Sequence, residues 1–410
     1  MRILLINHYA GSPGHGMEYR PYYFAREWVR AGHSVLIVAA SFSHLRQKNP
    51  DVRGTLTCET IDGVDYLWVR TPRYSGNGAS RVANMVTFLV RLYGACRKSI
   101  AEFRPDLVIA SSTYTWDNWS AAHFARKYGA RYVYELHDVW PLTPMELAGM
   151  SRWHPFVWTL QKAEDFACRT ANKVVSLLPA AQPHLTERGM PPERFAYIPN
   201  GVVLSEWTRG VEQLPLLHRE AIDQVRRQGR FLLGYLGGHA LSNALHTLIE
   251  AAVFLERQNV SIILVGEGVE KERLVRLAKA LGLQHTVFLP SIPKALVPSL
   301  LTAMDACYIG WSRSPLYRFG ICPNKLLDYM MAAKPVIQAI EAANNLVAEA
   351  ACGITIPPEN TAAIIDAAEK LIRLSPAERQ AMGQRGKDYV TAHHDYTVLA
   401  QHFLEVVSEN

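Results

Sequence analysis

Met1-Arg2-Ile3-Leu4-Leu5-Ile6-Asn7-His8-Tyr9-Ala10-Gly11-Ser12-Pro13-Gly14-His15-Gly16-Met17-Glu18 opens the chain. The apolar run Arg2–Ile6 is too short for a signal peptide and turns polar at Asn7, so it reads as a buried first strand. Three glycines follow it, and then a helical pattern over Glu18–Ala31. Strand, glycine-rich loop and helix together open a βαβ unit. The same alternation continues through strand candidates Val35–Ala39, Asp106–Ser111, Arg131–Leu136 and Lys173–Leu178, with a further helix at Asp117–Tyr128. It then restarts with strands Phe231–Leu236, Ser261–Val265, Thr286–Leu289, Asp305–Ile309 and Pro335–Gln338. Helical stretches at Asn243–Arg257, Val269–Leu281 and Asn324–Ala333 separate this second set. The expectation is an α/β chain of two Rossmann-like, doubly wound parallel-sheet domains, 1–200 and 201–390, joined near Ile198–Arg230 by a polar, charged stretch. A last helix within 391–410 is expected to pack back on the first domain. Ligands of open parallel sheets bind beyond the carboxyl ends of the strands, so two such domains are expected to face each other across a cleft.

Composition narrows the class. At 410 residues the chain has room for two or three domains. A hydrophobic fraction of 49% with 20% charged residues excludes disorder and collagen-like repetition. The net charge of +6 suits an anionic partner such as a nucleotide, a phosphorylated lipid or a bilayer surface. It is too small and too dispersed to point to nucleic acid. Cys58, Cys96, Cys168, Cys307, Cys322 and Cys352 are widely spaced without a CxxC, the pattern of reduced cytosolic thiols. No apolar window is long enough to span a bilayer, so any membrane role is expected to be peripheral.

Three segments carry chemistry. In the first loop, the backbone N–H groups around Gly14, His15 and Gly16 can approach a phosphate at a helix start. The dinucleotide fingerprint fails, because Tyr19 stands where its third glycine belongs and Ala39-Ala40-Ser41 offers no ribose carboxylate. The loop is therefore either a plain flexible turn or a mobile cover for a diphosphate. In the second segment, Pro323 suits the first turn of a helix and Lys325 adds a full charge where helices attract anions. Asn324 and Asp328, four apart, share a face that can meet ribose hydroxyls; the plainer alternative is a capped helix with a surface Lys–Asp pair. The third segment, Glu135-Leu136-His137-Asp138, ends a strand where cleft residues belong. There a His–Asp pair can fix a tautomer, donate to phosphate or move a proton, or merely tie down a loop. There is no Asp-x-Asp or His-Glu-x-x-His, and adjacent His393-His394 is poor ligand geometry, so neither a metal nor a cofactor is expected.

These segments together resemble the retaining glycosyltransferases of sequence family four, which have the GT-B fold. The resemblance runs through Gly14-His15-Gly16, Arg30-Ala31-Gly32-His33-Ser34-Val35, His137-Asp138, Ile198-Pro199-Asn200-Gly201-Val202, Leu264-Val265-Gly266-Glu267-Gly268, and Asp328 to Pro335-Val336-Ile337. Tyr235-Leu236-Gly237-Gly238-His239 and Pro323–Tyr329 look like a bacterial surface-polysaccharide (O-antigen type) subgroup that includes fucosamine transferases. The resemblance implies metal-independent transfer of a sugar, such as an N-acetylated deoxyhexosamine, from a nucleotide sugar (UDP in this reading) to a lipid-linked or saccharide acceptor, with retention. It places the nucleotide on the second domain and the acceptor mainly on the first, at the cytoplasmic side of the membrane. On this resemblance, Gly14, His15 and Gly16 lie near the diphosphate. Gly238, Gly266, Glu267, Ser291 and Ile292 line the donor site, Asp328 holds the ribose, and His137 serves the donor sugar with Asp138 orienting it. The chain departs from the family pattern in three places: Gly320 stands where the first acid of Glu-x7-Glu belongs, the usual Arg and Lys after the strand–Gly start of the second domain are missing from the stretch that Gly238 and Asn243 occupy, and Asp328 is one methylene shorter than the family's Glu. Lys325, Arg313 or Arg318 must then supply the diphosphate charge. Arg81–Arg97 and Arg152–Trp158 are cationic and aromatic enough to lie against an anionic membrane, or else are ordinary packed segments. Two other classes fit the architecture: a sugar-nucleotide epimerase and a non-catalytic nucleotide-sugar binder.

Overall fold

Ile3, Leu4, Leu5 and Ile6 are almost wholly buried, so their strand is covered on both faces and belongs inside a parallel sheet. The computed structural model describes residues 1–16, 19–208 and 212–409 and places it there. Eight strands form the first sheet: β1 (Arg2–Ile6), β2 (Ser34–Ala40), β3 (Leu56–Ile61), β4 (Val64–Val69), β5 (Leu107–Ala110), β6 (Arg131–Leu136), β7 (Lys173–Ser176) and β8 (Phe195–Tyr197). Their order is β3-β4-β2-β1-β5-β6-β7-β8, parallel except for the antiparallel pair β3–β4. β1 sits between β2 and β5, with Ile3 opposite both Val35 and Leu107. The six strands of the second sheet are β9 (Phe231–Leu236), β10 (Val260–Val265), β11 (Thr286–Leu289), β12 (Ala306–Gly310), β13 (Val336–Ala339) and β14 (Gly353–Ile356). They lie in the order β11-β10-β9-β12-β13-β14, all parallel.

The ten strands expected from the apolar runs are present, with ends shifted by no more than two residues. Four others are additional: the hairpin β3–β4 and the short edge strands β8 and β14. The hairpin turns at Asp62-Gly63, both with positive φ, which is a two-residue turn matched to strand twist. The polar stretch expected as a linker is in fact ordered. It holds helices Leu204–Thr208 and Leu216–Arg227, and the second buries His218, Ile222 and Val225 at helical spacing. Residues 209–211 of that stretch lie outside the described residues, as does Glu18, the expected start of the helix seen at Tyr19–Arg30.

The chain divides into two compact units. The first comprises Met1–Asn200, the short segment Phe319–Cys322 and the chain from Tyr396 onward; the second comprises Gly201–Arg318 and Pro323–Asp395. Among the described residues no helix is long and apolar enough to cross a membrane. In the first unit the terminal helix Tyr396–Ser408 lies on the helix Tyr19–Arg30. Phe403 meets Phe24 and Trp28 at ring separations of 5.5 and 5.2 Å, and Trp28 Nε1 donates to the Ala400 carbonyl at 3.0 Å. Phe403 is buried, so Phe403→Ala should cost about 3–5 kcal/mol. The check is a lowered unfolding midpoint in the full chain, with lost hydrogen-exchange protection in Tyr19–Arg30 and not in the second unit.

Candidate active site

In the first unit, four side chains converge at the carboxyl ends of β1, β5 and β6. Glu135 and His137 are two apart at the end of β6, so they point to the same face. The Glu135 carboxylate accepts from Arg20 Nε at 3.0 Å and Ser111 Oγ at 2.5 Å, and lies 3.2 Å from His137 Nε2. His137 Nε2 also lies 3.0 Å from Ser111 Oγ, and Asn7 Nδ2 donates to Ser111 Oγ and to the Ser111 carbonyl. Burial works to raise the Glu135 carboxyl, but Arg20, His137 and Ser111 outweigh it and hold the group at about 2. Arg20 is itself anchored, donating to the Ile198 and Pro199 carbonyls at 3.0 and 2.6 Å. This corrects the expected His137–Asp138 pairing: the carboxylate that holds His137 is Glu135, and Asp138 is exposed. Burial raises a second carboxyl nearby, Asp117, to about 7, even though it accepts from the Ser112 N–H at 2.9 Å.

The glycine loop is ordered around a short 3-10 turn, Pro13–His15. Ser12 Oγ and His15 Nδ1 are 2.8 Å apart, and the Gln47 and Lys48 N–H groups donate to the His15 carbonyl. Burial and the Arg46 guanidinium depress the His15 imidazole. Gly14 is exposed at the tip, while Gly16 has φ +79° and packs so closely on Gln47 that a Cβ would clash with its side chain.

In the second unit, helix Asn324–Met331 carries Lys325 to the carboxyl end of β9. Its ammonium donates to Tyr235 Oη at 3.1 Å and to Asn243 Oδ1 at 2.9 Å, and lies 5.1 Å from the Tyr235 ring centroid. Tyr235 Oη and Asn243 Nδ2 both donate to the Gly238 carbonyl, which closes the ring of contacts. Lys325 therefore occupies the stretch left without its usual Arg and Lys. Gly237, at φ +153°, makes room for it: a Cβ there would lie 2.4 Å from Lys325 Cδ. Burial alone brings the ammonium down to about 8, and none of the described carboxylates pairs with it. An ammonium has three N–H donors, and the third has no acceptor among the described residues.

Asp328 is mostly buried, with both oxygens taken by Lys294 Nζ at 2.6 and 2.7 Å; Asn324, four residues before it, is exposed. Gly266 and Gly268 let the loop after β10 press on the loop after β9, since a Cβ would lie 2.0 Å from the Gly237 oxygen and 2.3 Å from the His239 oxygen. Glu267 pairs with Lys271 at 2.8 Å and takes the Ser291 N–H, which ties the loops after β10 and β11; both contacts lower its carboxyl. Ile292 is partly exposed beside them. Arg313 and Arg318 are exposed, and the Arg318 guanidinium donates to the Pro315 carbonyl; Lys325 bonds to Tyr235 and Asn243, the two side chains that hold the Gly238 carbonyl. Gly320 belongs to the Phe319–Cys322 segment of the first unit, where the Ala180 N–H donates to the Phe319 carbonyl, and Asp328 belongs to the second unit. His239 is fully buried with neither ring nitrogen bonded, and burial lowers it to about 4. Among the described residues, no cluster of three or more His, Cys, Asp or Glu side chains is arranged to hold a metal ion.

Sequence reasoning passed over Glu135, Ser111, Arg20 and Lys294. Glu135 had a visible signal, a lone acid inside the apolar strand Arg-Tyr-Val-Tyr-Glu-Leu. Lys294 had none, because it is 34 residues from its partner.

Known proteins share this framework. Residues 15–201 match the glycosyl transferase 4-like domain, and residues 219–389 match the glycosyl transferases group 1 domain. WcaI of Escherichia coli K12, named as a colanic acid biosynthesis glycosyl transferase, is 22% identical over 83% of this chain and 84% of its own. The α-D-kanosaminyltransferase of Streptomyces kanamyceticus is 24% identical over 54% of this chain and 56% of its own. Anabaena HepE, solved in complex with UDP and glucose, superposes with a TM-score of 0.67 over the whole of both chains at 19% identity. The fold is GT-B.

Glu135→Ala should cost roughly 3–5 kcal/mol, because it strips the buried Arg20 of its counter-charge. Glu267→Ala, which breaks a pair whose acid is 57% exposed, should cost less than about 1 kcal/mol. Denaturant unfolding of the two variants beside the wild type checks the contrast.

Proposed function

The chain is a glycosyltransferase of the group 1 type, and we propose that it moves an N-acetylated hexosamine or deoxyhexosamine from UDP to a lipid-linked or saccharide acceptor, with retention, in cell-surface polysaccharide synthesis. The observation that carries this reading is Lys325. It is a mostly buried ammonium with no carboxylate and one unspent N–H, at the carboxyl end of β9 where glycine leaves the backbone open. A buried uncompensated cation is costly unless an anion completes it. A leaving diphosphate is such an anion, and stabilising it is where an electrostatic group gains most.

The other roles follow from chemistry at each place. Asp328, fixed by Lys294, accepts ribose hydroxyls with its remaining lone pairs. Ser291, Ile292, Gly266 and Glu267 form the nucleoside side, and the Gly14–Gly16 loop serves the diphosphate. His137 serves the donor sugar. The departing phosphate takes the acceptor's proton, so neither a metal nor a separate base is required. Three relatives lend support to parts of the reading: HepE was solved with UDP and glucose, one relative is an α-D-kanosaminyltransferase, and WcaI is named for colanic acid biosynthesis.

Incubation with labelled UDP-sugars and a lipid-phosphate sugar acceptor tests the whole reading. Extended product plus UDP is expected; a new sugar nucleotide formed without acceptor would instead mean an epimerase, and binding without turnover a carrier. Lys325→Ala should lower turnover roughly 100- to 1000-fold while leaving the protein folded, and near-normal turnover would remove the assignment. The pH dependence has a definite sign. Lys325 carries its charge below about 8 and loses it above, so nucleotide affinity should be flat from neutral pH down to mild acid and fall as pH rises past 8. In Lys325→Ala that alkaline fall should be absent in calorimetry.

We propose further that the first unit touches anionic membrane at the cytoplasmic face. Val86, Val90 and Tyr93 are exposed on helix Ala79–Tyr93, and Trp153 and Trp158 are exposed beside Arg152 and Lys162. Flotation with anionic vesicles at low salt should carry the protein up, and Trp153→Ala with Trp158→Ala should leave it at the bottom. Equal flotation of the variant would remove the membrane surface from these residues.

A further inference from the structure

We infer that His137 works through Nδ1, because Glu135 and Ser111 together fix the ring with its proton on Nε2. This rests on the reading of His137 as the residue that serves the donor sugar. The assignment comes from counting protons in the network. Asn7 Oδ1 accepts from the Tyr9 N–H at 2.9 Å, so the Asn7 amide must turn its NH2 toward Ser111, and Ser111 Oγ accepts from it at 3.1 Å. Ser111 Oγ and Glu135 Oε2 are 2.5 Å apart, a separation that two oxygens hold only with a proton between them. Glu135 is ionised, paired with Arg20, so that proton is the serine's own. Serine has one proton to give, and it is now spent. His137 Nε2 faces the same two oxygens, at 3.0 Å from Ser111 Oγ and 3.2 Å from Glu135 Oε2. A lone pair on Nε2 would confront lone pairs on both; an N–H meets two acceptors. Nε2 therefore carries the hydrogen.

Nδ1 has no hydrogen-bond partner among the described residues and is left for the substrate. While the ring is neutral, Nδ1 is an acceptor. The group it reads is then a hydroxyl or an amide N–H of the sugar, since a phosphate oxygen would oppose its lone pair. Glu135 and Ser111 touch only His137 and the scaffold, so they are positioning residues acting through the ring.

Long-range nitrogen–proton NMR on the full chain with 15N-labelled histidine reads the tautomer directly, with His137→Asn identifying the signal that belongs to residue 137. At neutral pH, Nε2 is expected to be pyrrole-like and Nδ1 pyridine-like; the reverse pattern, or an even mixture, overturns the proposal. Turnover supplies the second arm. Ser111→Ala, which leaves the Arg20–Glu135 pair intact and so keeps the fold, should lower kcat roughly ten- to a hundredfold. In a His137→Ala background the same change should have no further effect. A loss of equal size in both backgrounds would make Ser111 merely structural and sink the proposal. His137→Ala alone tests the underlying reading: normal turnover there would dismiss His137 itself, whatever tautomer NMR shows.

Discussion

A lysine ammonium held largely out of water without a counter-ion is the constraint around which the second unit is arranged. Lys325 cannot be stabilised by its neighbours' charge, so it is stabilised by their dipoles: a tyrosine oxygen, an amide oxygen and the face of an aromatic ring. Each of those groups is in turn fixed to the Gly238 carbonyl. The backbone has to yield for this to happen. Gly237 gives space to the lysine stem, and the glycines after β10 let a second strand-end loop close against the first. What remains is a fixed positive site that is incomplete by one hydrogen bond and one negative charge. Neutral dipoles recover only part of the cost of burying a charge, and the drop of the ammonium to about 8 is the residue of that deficit.

The first unit handles the opposite charge in the opposite way. Glu135 is buried as deeply, yet it has a bidentate-capable guanidinium, a hydroxyl and an imidazole around it, and its carboxyl sits near 2 instead of rising. A satisfied carboxylate of this kind is a scaffold, not a reagent. Its value lies in orientation, because a ring gripped at one nitrogen can turn neither its face nor its tautomer. The two units thus differ in their electrostatics: one leaves a charge without a counter-ion, while the other spends its charge on holding a side chain still.

Much of this was legible in the sequence, and the parts that were not share a cause. Central strands were readable because burial on both faces makes them continuous apolar runs; Val260–Val265 is buried at every position. The edge hairpin escaped because Leu56–Ile61 is mostly exposed and alternates weakly, although Asp62-Gly63 marks its turn. Lys325 drew attention through local features, a proline before the helix and a positive charge in its first turn. Glu135, Ser111 and Arg20 were passed over because their meaning arises only when β1, β5 and β6 lie side by side. Lys294 and Asp328 show the same limit: each alone looks like an ordinary surface charge, and only the fold brings them to 2.6 Å. Reading His137 with Asp138 missed the carboxylate that lies within hydrogen-bond distance of the ring, because Glu135 reaches it from inside β6.

The departures at Gly238 and Asn243 and the placement of Lys325 are linked by direct contacts. With Gly238 and Asn243 standing where an arginine and a lysine are usual, the cation comes instead from the helix at Lys325 and lies against the side chain of Asn243. A lysine at 243 would place a second ammonium within contact distance of the first, in surroundings that already depress one. An asparagine there offers an acceptor to Lys325 and a donor to the backbone at once. Gly238 is under no steric demand, since an added Cβ would meet nothing nearer than the Glu267 oxygen at 3.8 Å. What ties position 238 to the other two is its carbonyl, which accepts from Asn243 and Tyr235 while both of those side chains accept from Lys325, so the backbone, the amide and the lysine form a single arrangement.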